Sequence, residues 1–142
     1  MGVEIFKVMR AIKFRVWDGN KMWFPESETA NGTNTTLHFF NSLRCIAWGL
    51  YDSVFGNRIA TSEYHELMQY TGLKDVNGKE VYEGDVVAIH QDDSPDFNAE
   101  VFYHERWGAF EVAATGNTIG WYTDLKNCVT VIGNVHENPE LL

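Results

Sequence analysis

The clearest alternation of apolar and charged side chains lies near the start of the chain, between Ala11 and Phe24. The alternating residues are Ile12, Lys13, Phe14, Arg15 and Val16. A period of two is typical of a strand with one buried face. The pattern therefore predicts a half-buried β-strand at this point.

The residues after this strand predict a tight turn at Asp18-Gly19-Asn20, because all three tolerate the backbone conformations that such a turn requires. With Gly19-Asn20 as the loop, Val16 faces Trp23, and Asp18 faces Lys21. An apolar pair and an opposite-charge pair both favour this register. We therefore expect an N-terminal β-hairpin.

The stretch from Leu37 to Tyr51 has two interpretations. Its apolar residues fit the stripe of an amphipathic helix, at Leu37, Phe40, Leu43, Ala47 and Leu50. The same stretch contains residues that suit strands separated by a turn near Asn41-Ser42, namely Phe39, Cys45, Ile46, Trp48 and Gly49. We favour strands, with a helix as the alternative. The polar residues before it, Pro25 to Thr36, predict a loop.

The second half of the chain alternates short apolar runs with turn residues. The predicted strands are Val86–His90, Ala99–His104, Phe110–Ala114 and Val129–Val135. The segments between them are a turn at Lys74–Lys79 before the first strand, Asp92–Asp96, Trp107-Gly108 and a longer connection at Gly116–Asn127. Several short strands separated by turns predict a small barrel or a sandwich. Glu83-Gly84-Asp85, directly before Val86, is typical of the entry to an SH3-like barrel, where glycine allows a sharp bend.

Composition narrows the class of partner. The chain has 142 residues, a length that suits one domain or two halves that share a core. Its net charge is -9. The negative charge argues against general binding of duplex DNA, which depends on Lys and Arg replacing counterions. A locally basic strip remains at Lys7, Arg10, Lys13, Arg15 and Lys21. No apolar run is long enough to span a membrane, and the start lacks the apolar core of a signal peptide, so we predict a cytoplasmic protein.

Side chains that carry chemistry form no recognisable catalytic, cofactor or metal motif. A calcium loop starting at Asp75 fails, because Lys79 and Glu80 occupy its fifth and sixth positions. Among the five histidines, His90 and His104 lie on strands that we predict to be neighbours, so folding could bring them together. The acidic residues of the Asp92–Asp96 loop with Glu100 are better explained as a charged turn than as paired catalytic carboxylates. Cys45 and Cys128 lie in apolar runs, as small core residues do.

Three segments of the sequence, in the same order, resemble the YopX family of bacteriophage and prophage proteins. The first is Met9-Arg10-Ala11-Ile12-Lys13-Phe14-Arg15-Val16-Trp17-Asp18. The second runs from Glu66 to Val87 and contains Tyr70-Thr71-Gly72-Leu73-Lys74-Asp75 and Tyr82-Glu83-Gly84-Asp85. The third is Val131-Ile132-Gly133-Asn134-Val135-His136-Glu137-Asn138-Pro139-Glu140-Leu141-Leu142.

The resemblance implies a mainly β fold, with α+β as the alternative. It implies a partly irregular β-rich subdomain at residues 9–65, followed by an SH3-like barrel at residues 66–142. Residues 1–8 have no counterpart in the family and are expected to form an extension. The signature residues are expected to be structural: Gly72, Asp75, Asn77, Gly78, Tyr82, Gly84 and Asp85. The resemblance implies no biochemical activity, because none is established for the family.

The function predicted from these observations is a non-enzymatic binding or assembly module with a protein partner, which includes a second copy of the chain. Arg15, Trp17 and Lys21 form the candidate interaction surface, because a tryptophan beside basic residues can stack on a base or fill an interface. For Trp17 itself we favour packing under the other half of the chain over such an exposed role. Binding of single-stranded nucleic acid through the N-terminal hairpin is the first alternative. A hydrolase with a site assembled from distant residues is the second. Duplex DNA, a membrane and a cofactor are not expected.

Overall fold

The computed structural model describes residues 11–25, 34–41, 46–114, 117–120 and 127–142, with the backbone alone described at 117–120. These residues form antiparallel sheets and include the short 3-10 helix Pro139–Leu141. The strands are β1 Phe14–Trp17, β2 Met22–Trp23, β3 Thr35–Asn41, β4 Ile46–Asp52, β5 Arg58–Thr61, β6 Glu66–Lys74, β7 Glu80–Tyr82, β8 Asp85–Gln91, β9 Ser94–His104, β10 Ala109–Ala114, β11 Asn117–Gly120 and β12 Val129–Asn134. The prediction of a mainly β fold is confirmed. No described residue lies in an α-helix, which decides against the α+β alternative.

The N-terminal hairpin has the predicted register. Val16 pairs with Trp23, and the amide of Asp18 donates to the carbonyl of Lys21 over 3.1 Å. The Asp18 carboxylate accepts from the amides of Asn20 at 2.8 Å and Lys21 at 2.6 Å, and from the Trp23 indole at 2.8 Å. Asp18 therefore holds the turn through backbone amides and an indole, while the Lys21 ammonium lies 4.1 Å from the centre of the Trp23 ring.

Strand β1 lies inside the molecule. The first sheet has the order β2-β1-β6-β7, so β1 pairs with β6 and joins residues on both sides of the predicted boundary at residue 65. Val16 packs on one side, and Arg15 is buried on the other. The expectation of a half-buried strand is wrong, because neighbouring layers cover both of its faces. The division into two subdomains remains a prediction.

The described parts of the ambiguous stretch, residues 37–41 and 46–51, form strands. β3 and β4 are antiparallel neighbours in a three-stranded sheet of order β3-β4-β5, with Leu37 opposite Leu50. This sheet packs against the first sheet through one apolar cluster. Its buried residues are Val16, Trp48, Leu50 and Ala60. The preference for strands over a helix is confirmed.

The second half of the chain forms a curled five-stranded sheet of order β11-β10-β9-β8-β12. The last strand returns to pair with the first, and the sheet curls into a half-barrel. Its core consists of Val81, Val87, Ile89, Ala99, Val101, Val112 and Val129. The four predicted strands are present. β9 begins earlier than predicted, at Ser94, and β11 lies within the predicted connection at Gly116–Asn127.

Several predictions concern residues that lie outside the described part of the chain. The extension at 1–8, most of the loop at 25–36 and Cys45 lie outside the described residues. Where the chain is described, it contains no helix with the length and apolar character needed to cross a membrane.

Candidate binding cleft

Asp75 fastens the turn at 75–79 to strand β12. Its Oδ1 accepts from the amides of Asn77 and Lys79, both over 2.9 Å, and its Oδ2 accepts from the amide of Val131 over 3.0 Å. Burial acts to raise the pKa of this carboxyl, but the three amides outweigh it and hold the pKa below its ordinary value of 3.8. Asp75 therefore has a structural role as an ionised acceptor at the edge of the curled sheet.

Gly84 connects three parts of the fold through its backbone. Its amide donates to the carbonyl of Val101, and its carbonyl accepts from the amide of Val135, both over 2.8 Å. Its φ is 79°, and a Cβ added there would lie 3.1 Å from the Sδ atom of Met68. A glycine is needed because of both the backbone conformation and the lack of space.

A buried ion pair links the hairpin to the start of β8. Nη1 of Arg15 lies 2.8 Å from Oδ1 of Asp85, and the two side chains are only 6% and 3% exposed. Nη2 of Arg15 donates to the carbonyl of Glu83 over 3.0 Å, and the guanidinium lies 4.9 Å from the centre of the Tyr82 ring. The amide of Tyr82 donates to Oδ2 of Asp85 over 2.8 Å. Burial raises the pKa of the Asp85 carboxyl above 3.8, and the guanidinium and this amide oppose the rise.

This ion pair lies in the wall of a cleft of about 510 Å³. One side of the cleft is formed by the hairpin, a second by β7 and the turn before it, and a third by β12 and the turn after it. The lining residues are Arg15, Met22, Phe24, Lys79, Glu80, Tyr82, Asp85, Val131, Ile132, Gly133, Asn134, Glu137 and Asn138. Each of the three segments that resemble the YopX family contributes to this lining.

The polar side chains of the β7 wall are bonded to one another. The Tyr82 hydroxyl donates to Oε2 of Glu80 over 3.1 Å, and Glu80 also forms an ion pair with Lys13. Burial, reinforced by Glu80, raises the pKa of the Tyr82 hydroxyl well above its ordinary value. The phenol therefore stays protonated at neutral pH and acts as a hydrogen-bond donor.

The turn after β12 forms the third wall and was missed as a site by sequence reasoning. Oδ1 of Asn134 accepts from the amides of His136 at 3.1 Å and Glu137 at 2.9 Å, while Oδ1 of Asn138 accepts from the amide of Asn134 at 3.3 Å. These asparagines stand four residues apart in the third matching segment. The two asparagines were the available sign of a turn at this position, because an asparagine side chain often accepts hydrogen bonds from backbone amides close to it in sequence.

The structure separates the three residues of the predicted interaction surface. Arg15 is buried in its ion pair, so its inclusion in an exposed surface is wrong. Trp17 is half-buried and stacks on the His136 ring, with centroids 5.2 Å apart and planes 13° apart. Lys21 lies over Trp23 instead. The predicted alternation failed here because the supposed polar face of β1 contacts β7 and β8.

His90 and His104, which we expected folding could bring together, also lie far from each other in the structure. β8 and β9 are neighbours as predicted, but their register pairs Val86 with Glu100, which places His90 and His104 at opposite ends of the hairpin. Instead, Nδ1 of His90 lies 2.7 Å from Oδ2 of Asp96, and Nε2 of His90 lies 2.9 Å from Oγ1 of Thr130. No group of three or more potential metal ligands occurs among the residues that the structure describes.

The fold defines a class of small antiparallel β proteins in which a hairpin and a three-stranded sheet pack beside a curled five-stranded sheet. The sequence model described as YopX protein matches residues 13–142. The chain therefore belongs to the YopX family.

Solved structures with this fold include the following two. The chain is 26% identical to protein yopX from Bacillus subtilis, with a TM-score of 0.64, and the match covers 94% of this chain and 99% of that one. It is 24% identical to a protein from Enterococcus faecalis, with a TM-score of 0.56 and the same coverage. No curated protein sequence matches this chain.

Proposed function

We propose that this YopX-family protein is a non-enzymatic binding module of phage or prophage origin, that it acts in the bacterial cytoplasm, and that it holds a protein partner in the cleft. One observation carries the proposal. Three segments that are far apart in the chain, at the hairpin, at residues 79–85 and at residues 131–138, line the same cleft of about 510 Å³. Arg15 of the hairpin and all the lining residues of the other two segments belong to the segments through which the chain resembles its family.

The bonding within the cleft favours binding over catalysis. Arg15 and Asp85 form an ion pair with each other, and Glu80 is shared by Lys13 and Tyr82. A general acid or base needs a proton that it can exchange with a substrate. These groups are instead committed to one another, so they give the cleft a fixed shape.

The mixture of side chains favours a protein segment as the ligand. Met22, Phe24 and Ile132 supply apolar surface, while Lys79 and Glu137 are exposed charges of opposite sign. A peptide offers both apolar side chains and backbone polar groups to such a site. A nucleic-acid strand would require an excess of positive charge.

The test uses exposed residues of the cleft, so that the fold is left intact. The tagged protein is recovered from prophage-induced cells as the wild type, as Ile132→Asp and as Lys79→Glu. Val54→Asp is the control, because Val54 is an exposed apolar residue outside the cleft lining. We expect one protein to be held by the wild type and the control, and its affinity, measured with purified components, to fall at least about tenfold in both cleft variants. Equal affinity in all four proteins would overturn the cleft as the site.

Single-stranded nucleic acid is a second candidate, favoured by the hairpin. Lys21 lies over the Trp23 ring on β2, and Trp17 is half-buried on the neighbouring strand β1. Stacking of a base on an aromatic ring contributes about 1–3 kcal/mol. Titration of labelled single strand and duplex at two salt concentrations distinguishes the candidates: binding of the single strand that is lost in both Trp17→Ala and Lys21→Ala would favour this second function. We expect no duplex binding at physiological salt, because the chain carries a net charge of -9.

A further inference from the structure

Three polar side chains from three strands meet on the outer face of the curled sheet. Strand β8 directs Val87 and Ile89 into the core, so His90, which alternates with them, points to the outer face. Nε2 of His90 lies 2.9 Å from Oγ1 of Thr130 on β12, and Nδ1 of His90 lies 2.7 Å from Oδ2 of Asp96 on β9. One chain of hydrogen bonds therefore runs from a hydroxyl, through an imidazole, to a carboxylate.

The order of these atoms fixes the direction of the hydrogen bonds. An ionised aspartate only accepts, so Nδ1 of His90 carries the proton that is donated to Asp96. Nε2 of the neutral imidazole is then an acceptor, and it takes the hydrogen bond that the Thr130 hydroxyl donates. The imidazole is thus placed as a base for the hydroxyl proton, and the carboxylate holds the imidazole in the tautomer that accepts it.

Stability gives little reason for this arrangement. The side chains of His90 and Asp96 are 43% and 56% exposed, and an exposed pair of this kind adds little to the free energy of unfolding because water competes with it. Thr130 is half-buried beside them, so the contact between hydroxyl and imidazole lies at the surface, within reach of a small molecule in solution. All three residues lie outside the lining of the cleft.

We propose that Thr130 is a nucleophile that His90 activates and Asp96 positions, and that it takes an acyl group from an ester of a carboxylic acid. Oγ1 of Thr130 attacks the carbonyl carbon while its proton passes to Nε2 of His90. The bond from that carbon to the ester oxygen then breaks, and the departing alkoxide takes the proton from Nε2 and leaves as an alcohol. The acyl group remains on Oγ1, and Asp96 keeps its negative charge throughout.

A neutral ester suits this site better than a phosphoryl donor. Transfer of a phosphoryl group depends on cations that neutralise its charge, whereas His90 lies beside the Asp96 carboxylate and the chain carries a net charge of -9. The ester brings no charge that must be neutralised. The step modifies the protein itself, so it adds a reactive site to the binding role proposed for the cleft.

The test is the acetylation of the full chain by p-nitrophenyl acetate, an activated ester, with each modified residue identified by peptide mass spectrometry over time. We expect acetylation of Thr130 to be at least about a hundredfold faster than acetylation of Ser53. Ser53 is the internal reference, because it is exposed and its Oγ lies 2.6 Å from the hydroxyl oxygen of Thr36 in place of an imidazole. Equal rates at the two hydroxyls would overturn the proposal.

Variants separate the three roles. Thr130→Val has nearly the same shape and favours a strand, so it should fold and lose the acetyl group, whereas Thr130→Ser should keep it. His90→Gln, at an exposed position, should slow the transfer to Thr130 at least about a hundredfold because the base is removed. Asp96→Asn should slow the transfer at least about tenfold because the imidazole loses the partner that fixes its tautomer. Far-UV circular dichroism checks that each variant is folded.

The matched controls are His38→Gln and Asp92→Asn, which change an exposed histidine and an exposed carboxylate outside this chain of hydrogen bonds and should react like the wild type. Nitrogen NMR of the His90 ring tests the positioning role of Asp96 apart from the fold. The ring should carry its proton on Nδ1 in the wild type and shift it toward Nε2 in Asp96→Asn. Transfer to Thr130 at the wild-type rate in His90→Gln would overturn the proposal, and an unchanged rate and tautomer in Asp96→Asn would overturn the role of Asp96.

Discussion

The cleft and the β3 edge use polar groups in opposite ways. Around the cleft, the Arg15–Asp85 ion pair and the bond from the Val131 amide to Asp75 join distant segments, and Asn134 accepts from an amide of its own turn. At the β3 edge, the backbone groups of Leu37 and Phe39 face outward beside exposed aromatic rings. In the first region the polar groups are bonded to one another and stabilise the fold, whereas in the second the backbone groups of Leu37 and Phe39 have no partner on β4. Substitutions around the cleft should therefore lower the free energy of unfolding more than substitutions at the exposed residues of the β3 edge.

The largest expected loss of stability is for Arg15→Ala. Removing one partner of a buried pair leaves the Asp85 carboxyl uncompensated, which costs about 3–5 kcal/mol in the free energy of unfolding. Urea unfolding measures this loss. Arg15→Lys is the control that keeps the charge but gives up the second donor to Glu83, so its loss should be smaller.

A double-mutant cycle with Asp85→Ala sharpens the result. The double variant should lose less than the sum of the two single variants, because the pair is removed as a unit. Additive losses, or a loss below about 1 kcal/mol for Arg15→Ala, would show that the pair does not hold the hairpin to β8.

The next effect concerns Gly84 and Gly78, which have nearly the same φ, 79° and 80°. A Cβ at Gly84 meets Met68, but nothing lies within 4 Å of one at Gly78. Gly84→Val should cost about 1–3 kcal/mol through backbone strain, with the contact adding to it. Gly78→Val should cost less, since it carries the strain alone. If thermal unfolding shows equal losses for both, the space beside Met68 plays no part; if Gly84→Val melts like the wild type, the predicted bend before β8 needs no glycine.

A smaller effect should appear in acid. The folded pKa of Asp75 is lowered by its amide donors, so its contribution is present above the unfolded pKa of about 3.9 and is lost as the pH falls through the folded pKa. Asp75→Asn should lower stability by about 1–3 kcal/mol at pH 7 and by less in acid, because a hydrogen-bonded acceptor is lost. Urea unfolding at several pH values checks this. Asp92→Asn, in the exposed β8–β9 turn, is the control. If both variants weaken the fall in the free energy of unfolding at low pH to the same extent, the role of Asp75 is contradicted.

The smallest expected effect is from removal of residues 1–8. Terminal extensions are usually weakly held, so the free energy of unfolding should change by less than about 0.5 kcal/mol. A truncated protein that aggregates or changes its mass in solution would show that this segment takes part in folding or association.

Local features of the chain were predicted well. The register of the N-terminal hairpin and the strands of the curled sheet follow from alternation and from turn residues a few positions apart. The structural signature was recognisable too, since Asp75 and Gly78 suit a turn by residue type alone. Such features depend on neighbours in sequence, and their physics is visible there.

Tertiary structure alone decided which side chains meet. Arg15 has the pattern of a solvated face, yet β1 became an interior strand and Arg15 pairs with Asp85. Packing of Trp17 was expected, but only the folded chain shows that it stacks on His136. The β8–β9 register separated His90 from His104, although both strands were predicted. Long-range pairing obeys the packing of whole sheets, and a sequence pattern cannot report which layer will cover a strand. For the same reason the cleft, which is built from three distant segments, and the open edge of β3 became visible only in the folded chain.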